Sequence, residues 1–108
     1  HAMVHDCFSI TELVIMEDLG FAPRGKAPEY EHAGVFDMDG KLAVNIDGGL
    51  KCFGHPIGGS GVRMIYEVYL QLLGRAGPRQ RPNPTLGLTH NLGGWPGSFT
   101  GAVTIWGR

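Results

Sequence analysis

A mixed α/β sheet is the fold class this sequence predicts, and three observations predict it. Residues 9–19 and 60–73 carry apolar side chains at helical spacing. Residues 42–46, 86–90 and 100–106 read as short strands interleaved with and following those helices. The last two strands are joined by a short glycine-rich connection, which makes them an antiparallel pair. At 108 residues the chain amounts to one domain at most, here taken as 1–108.

The elements follow in order. Ser9 with Glu12 three positions later has the form of a capping box and starts the first helix. Ile10, Leu13, Val14, Ile15 and Met16 predict that it is substantially buried, and Leu19-Gly20 supplies its stop. Val4-His5-Asp6-Cys7-Phe8 leads into it, so His5 and Cys7 are expected on the turn before a helix start. Backbone N–H groups there are unpaired and the field favours negative charge, a setting that can lower a thiol pKa. His1-Ala2-Met3 has the form of an expression scar and enters none of these expectations. A sheet helix normally follows a full strand, and only four residues precede His5, so the chain is expected to start inside a domain.

Residues 21–41 read as a loop, with turn signals at Ala22-Pro23-Arg24-Gly25, Ala27-Pro28 and Asp39-Gly40 and brief pairing near Gly34 to Phe36. A connection this long usually borders a site or an interface. After the strand at 42–46 comes the stretch on which the chain is centred, Gly48-Gly49-Leu50-Lys51-Cys52-Phe53-Gly54-His55-Pro56-Ile57-Gly58-Gly59-Ser60-Gly61, holding six of the 18 glycines. Glycine in such density permits positive φ and close approach of another chain or a ligand, and a histidine there is placed to act. The helix at 60–73 presents Val62, Ile65, Val68, Tyr69, Leu72 and Leu73 as its packing face. Residues 74–84 break it, and 91–98 are expected to form a second glycine-rich turn.

Bulk properties exclude several function classes. A hydrophobic fraction of 43% with 18% charged residues describes a folded chain. A net charge of −1, with no basic cluster beyond Arg75 to Arg81, predicts neither nucleic-acid nor membrane partners. No apolar run approaches a membrane span and no signal-peptide pattern precedes one. Cys7 and Cys52 are expected as free thiols in a reducing compartment. Ile105-Trp106-Gly107-Arg108 is not a peroxisomal address, so a bacterial cytoplasmic location is expected.

The glycine stretch is not a phosphate loop, because no lysine precedes Ser60, and it does not spell the dinucleotide fingerprint. His5, Cys7, His55 and His90 lack finger or protease spacing, so no metal is expected. Thiol and histidine chemistry remains, from His5/Cys7, His55 and His90/Asn91, each expected on a turn with small neighbours that can offer N–H donors to an oxyanion. The opposing reading makes His5 and His90 capping or core residues and Cys7 a small buried hydrophobe. Cys52 is expected to be a packing residue.

His5-Asp6-Cys7-Phe8, Gly54-His55-Pro56-Ile57-Gly58 and His90-Asn91-Leu92-Gly93-Gly94, in that order, resemble the C-terminal half of a thiolase. The likeness is strongest to the sterol-carrier-protein thiolases and the bacterial lipid-transfer acetyl-CoA acetyltransferases, and it extends over essentially the whole chain. It implies a thiolase-like C-terminal domain, incomplete in this chain. It implies that His55 activates a nucleophilic cysteine and lines the oxyanion hole for the thioester oxygen. His5 would stand where ordinary thiolases carry an asparagine that orders a water. Ordinary thiolases also carry a late acid/base cysteine in C-x-G. Asn91-Leu92-Gly93 occupies that place here and no cysteine follows Cys52, so Cys7 becomes the implied proton donor and acceptor. The N–H of Gly93 would serve the second oxyanion hole.

The resemblance further implies a coenzyme A thioester as substrate, no covalently bound cofactor, and a homodimeric or tetrameric whole protein. The family's nucleophile lies in an N-terminal half that this chain does not contain, so the 108 residues alone are expected to be inactive. Two rivals stand beside an acyl-CoA acyltransferase: a lipid-transfer-type retro-aldolase acting on CoA thioesters, and a non-catalytic thiolase-like partner subunit.

Overall fold

The computed structural model describes residues 1–108. A three-stranded mixed sheet organises it, in the order β1 (Ala2–Met3), β2 (Leu86–Trp95), β3 (Ser98–Gly107). β1 runs parallel to β2, with Ala2 opposite Leu88 and Met3 opposite Thr89. β2 and β3 are antiparallel from Leu86↔Gly107 to Trp95↔Ser98. Four helices join them: α1 (Ser9–Asp18), α2 (Ala27–His32), α3 (Gly49–Phe53) and α4 (Ser60–Leu72). A 3-10 turn, Gly77–Arg79, follows α4. The mixed α/β sheet is thus as the sequence predicts.

β1 divides the core. Successive strand side chains point to opposite faces, and Ala2 and Val4 join Ile15, Met16, Ala27 and Phe36 in one cluster. Met3 joins Met64, Val68 and Leu72 of α4 in another. Ala2 and Met3 are thus buried strand residues. α4 comes close enough to β2 that a Cβ at Gly87 would stand 2.5 Å from Val68 Cγ1. That contact is why glycine occupies the strand there.

Several local expectations are corrected. Ser9 is the first helical residue and not a cap; Phe8 holds the cap position with no side-chain bond, and Glu12 accepts from Asn45 Nδ2 at 2.8 Å instead. Only Ile15 and Met16 of α1 are buried, while Ile10 and Val14 are exposed. The 21–41 loop contains α2, begun by Pro28 in its first turn, where a missing N–H costs nothing. Residues 42–46 form no strand of their own but one parallel bridge, Ala2↔Val44. The brief pairing near Phe36 is present, since Leu42 N–H and Val44 N–H donate to Val35 and Phe36 carbonyls.

α3 forms inside the glycine-rich stretch, with Gly48 and Gly49 at φ +97° and +61° turning the chain into it. The expected turn at 91–98 is also corrected: the ladder continues to Trp95↔Ser98, so only Pro96 and Gly97 turn. On α4, Val68 and Leu72 are buried as expected, but Val62, Tyr69 and Leu73 are exposed. Ser60, Met64, Glu67 and Gln71 take the buried face. Polar side chains can lie inward there because partners meet them: Arg79 Nη2 donates to Glu67 Oε2 at 3.0 Å, and Arg81 N–H to Gln71 Oε1 at 2.9 Å.

Candidate functional site

Three chain segments deliver the site side chains to one place. The β1–α1 turn carries His5, Asp6 and Cys7; the α3–α4 turn carries His55; and β2 brings Asn91 from beneath. His5 and His55 rings meet edge to face, with centroids 5.0 Å apart and planes at 73°. His5 Nδ1 lies 2.8 Å from Asn91 Oδ1. Because that oxygen only accepts, His5 donates through Nδ1 and keeps its lone pair on Nε2. His55 Nδ1 lies 2.7 Å from Ser60 Oγ.

Asn45 and Asp6 hold these turns in place. Asn45 sits at φ +47°, accepts Val4 N–H at Oδ1 (2.8 Å), and donates to Glu12, joining β1 to α1. Asp6 accepts Leu50 N–H at the start of α3, at 3.0 Å and 3.2 Å to its two oxygens. A Cβ at Gly49 would stand 1.9 Å from Asp6 Oδ2, so that bond requires glycine. Asp47 caps the same turn through Gly49 N–H (2.9 Å) and pairs with Arg63, whose guanidinium lies 4.9 Å above Phe53.

A cleft of ≈ 430 Å³ opens between the turns, lined among others by Asp6, Cys7, Glu12, Leu50, Lys51 and His55. Burial lowers the His5 pKa, opposed by the Asn91 bond; His55 lowers it further and Asp6 raises it. Burial raises the Glu12 pKa against the lowering effect of its bond to Asn45. Two imidazoles in contact, one of them sharing a cleft with a half-buried thiol, form a set able to pass protons at a bound carbonyl compound.

The sequence matches the thiolase C-terminal domain-like family over residues 1–107. This chain belongs to the thiolase family. It is similar to an acetyl-CoA acetyltransferase of Methanothermobacter thermautotrophicus, 46% identical over 105 residues, covering 97% of this chain and 27% of that protein. An acetyl-CoA acetyltransferase of Methanocaldococcus jannaschii is 41% identical over 102 residues, covering 90% of this chain and 26% of that protein. Human sterol carrier protein 2 is 42% identical over 102 residues, covering 94% and 18%. The chain thus spans no more than 27% of the length of these relatives.

Within this thiolase domain, Cys7 and His55 share the cleft, the buried His5 meets His55 edge to face, and Asn91 anchors His5. His90 and Gly93 do not line it. His90, expected on a turn, lies on β2, nine-tenths buried with Nδ1 unpartnered. It borders a separate cleft of ≈ 390 Å³ with Ile10, Val14, Asp18, Leu92 and Val103. Burial and the nearby His5 lower the His90 pKa. Gly93 stands opposite Thr100 in the β2–β3 ladder.

Cys52, expected to pack, is exposed, with Sγ against Gly48; both cysteines are free thiols. No three of the His, Cys, Asp and Glu side chains are grouped to hold a metal ion. The sequence reading overlooked Ser60, Asn45 and Glu12 as parts of the site. Ser60 lay in view, five positions after His55, but read only as the polar residue opening a helix.

Proposed function

We propose that this chain is the histidine-bearing catalytic region of a longer thiolase-like acyl-CoA acyltransferase. Its reaction would be thiolysis of a 3-ketoacyl-CoA or Claisen condensation of two acyl-CoAs. The observation that carries the proposal is the edge-to-face pair of His5 and His55 above a cleft shared with Cys7. Similarity to two acetyl-CoA acetyltransferases supports the substrate class.

In this reading the nucleophilic cysteine comes from residues outside the chain, whose own cysteines are Cys7 and Cys52. His55 takes the thiol proton and the thiolate attacks the acyl carbonyl. In condensation the bond to coenzyme A breaks, coenzyme A departing as its thiolate to take a proton from solvent. The His55 imidazolium then donates to the thioester oxygen of the second acyl-CoA as that becomes an enolate. His5 holds a water against the same oxygen. Cys7 removes the α-proton of the second acyl-CoA in condensation, and returns a proton to that carbon in thiolysis. The Gly93 N–H supports the tetrahedral intermediate, and Lys51 at the cleft offers a positive charge to an anionic substrate. The upstream half completes the acyl-CoA pocket, and the whole protein assembles as a homodimer or tetramer in the cytoplasm.

The test is a thiolysis assay of the whole protein with a 3-ketoacyl-CoA and free coenzyme A. Turnover is expected, with His55→Ala lowering kcat/KM by about a thousandfold, within the range of positioned acid–base groups. The 108-residue chain alone is expected to turn over nothing. Full activity in His55→Ala would overturn the reading.

A further inference from the structure

We propose that Ser60 is a positioning residue that sets the tautomer of His55 and leaves its Nε2 as the nitrogen free to take a proton. The proposal rests on the role given to His55 above, and names the atom through which that role is exercised. Ser60 is the first residue of α4 and only 1% exposed. Its Oγ lies between two groups, 2.7 Å from His55 Nδ1 and 3.2 Å from the Pro56 carbonyl oxygen.

A hydroxyl has one proton to give, and a carbonyl can only accept. If Oγ donates to Pro56, it must accept from the ring, so Nδ1 carries the hydrogen and Nε2 the lone pair. Both contacts are then hydrogen bonds. If Oγ donates to Nδ1 instead, the Pro56 contact joins no further donor and one bond is lost. One net hydrogen bond commands a population ratio of about five. Nothing else restrains the ring except the edge of His5, because His55 is otherwise exposed. A lone pair on Nε2 is what proton transfer from a thiol requires; the same nitrogen, once protonated, is the donor to the thioester oxygen.

Ser60→Ala separates this role from a structural one. Pro56 carbonyl keeps the N–H groups of Gly59 (2.7 Å) and Ser60 (2.9 Å), and alanine suits the first turn of a helix. The experiment records ring 15N shifts of the whole protein labelled at histidine, with His55 assigned through His55→Gln. The wild type is expected to show His55 protonated at Nδ1 at neutral pH. In Ser60→Ala the ratio of Nδ1–H to Nε2–H should fall about fivefold or more. The melting temperature should be unchanged, and kcat should fall with KM little altered. A wild-type His55 protonated at Nε2, or a ratio unchanged by Ser60→Ala, would overturn the proposal. Should the whole protein turn over no acyl-CoA, the acyltransferase reading fails, while the nitrogen shifts still decide the part played by Ser60.

Discussion

His5 and His55, fifty positions apart in sequence, meet edge to face with ring centroids 5.0 Å apart. The nearby His55 adds to burial in disfavouring the cationic form of His5. Asn91 anchors one through Nδ1 and Ser60 holds the other through Nδ1. Of the two rings only that of His55 lines the cleft, with the buried His5 set against its edge.

Acidification should destabilise the protein through His5 and His90, whose pKa values burial lowers below 6.5. A histidine depressed in the folded state binds fewer protons folded than unfolded just below that value. Its stabilising contribution is whole above pH 6.5 and is lost as pH falls through 6.5 toward the folded pKa. Urea midpoints of the whole protein should fall between pH 7.5 and 5.5, and fall less in His5→Asn and His90→Asn. Glu12, raised by burial, works in the opposite direction, so the histidine variants carry the test. Equal pH slopes in wild type and variants would remove the burial argument.

Cys7→Ala tests the acid/base assignment. Exchange of the α-protons of acetyl-CoA with deuterated water, followed by mass spectrometry, should slow by about a hundredfold or more. Formation of the acyl-enzyme should remain. Undiminished exchange would move the role to another group.

Much of this domain was legible in its sequence where local pattern and tertiary packing agree. Periodicity located α1 and α4, and the short glycine connection revealed the β2–β3 hairpin. It misled where contacts distant in sequence decide. Glu67 and Gln71 lie outside the apolar face that the spacing marks on this helix, yet they are buried because Arg79, Gln80 and Arg81 return to meet them. Glycines at 93 and 94 suggested a turn that the pairing with Thr100 and Phe99 overrides. The reactive side chains His5, Cys7 and His55 stood out by residue type and order. Asn45 and Glu12 did not, because nothing local shows that a bond joins them across 33 positions.

Gly49→Ala should damage the site more than an ordinary glycine replacement. Its φ is +61°, and the new methyl would fall 1.9 Å from Asp6 Oδ2, whose carboxylate receives Leu50 N–H at both oxygens. Gly20→Ala shares a positive φ, +73°, but meets nothing within 4 Å. The second should cost about 1–2 kcal/mol from backbone strain alone. The first should cost about 2 kcal/mol more by displacing a buried cap. Chemical denaturation of the two variants compares them directly; equal losses would show that the Asp6 bond contributes little.

Arg79→Met should destabilise the protein although Arg79 lies near the surface. Its guanidinium reaches Glu67 Oε2 at 3.0 Å, and the Glu67 side chain is only 5% exposed. Methionine keeps much of the apolar stem but leaves a buried carboxylate facing Gln71 alone. A half-exposed partner is screened by water, so the loss should fall below that of a fully buried pair, at about 1–3 kcal/mol. Glu67→Gln combined with Arg79→Met removes the stranded charge and should recover at least half of it. If the double variant is no more stable than Arg79→Met alone, then Arg79 stabilises through its packing and not through its charge.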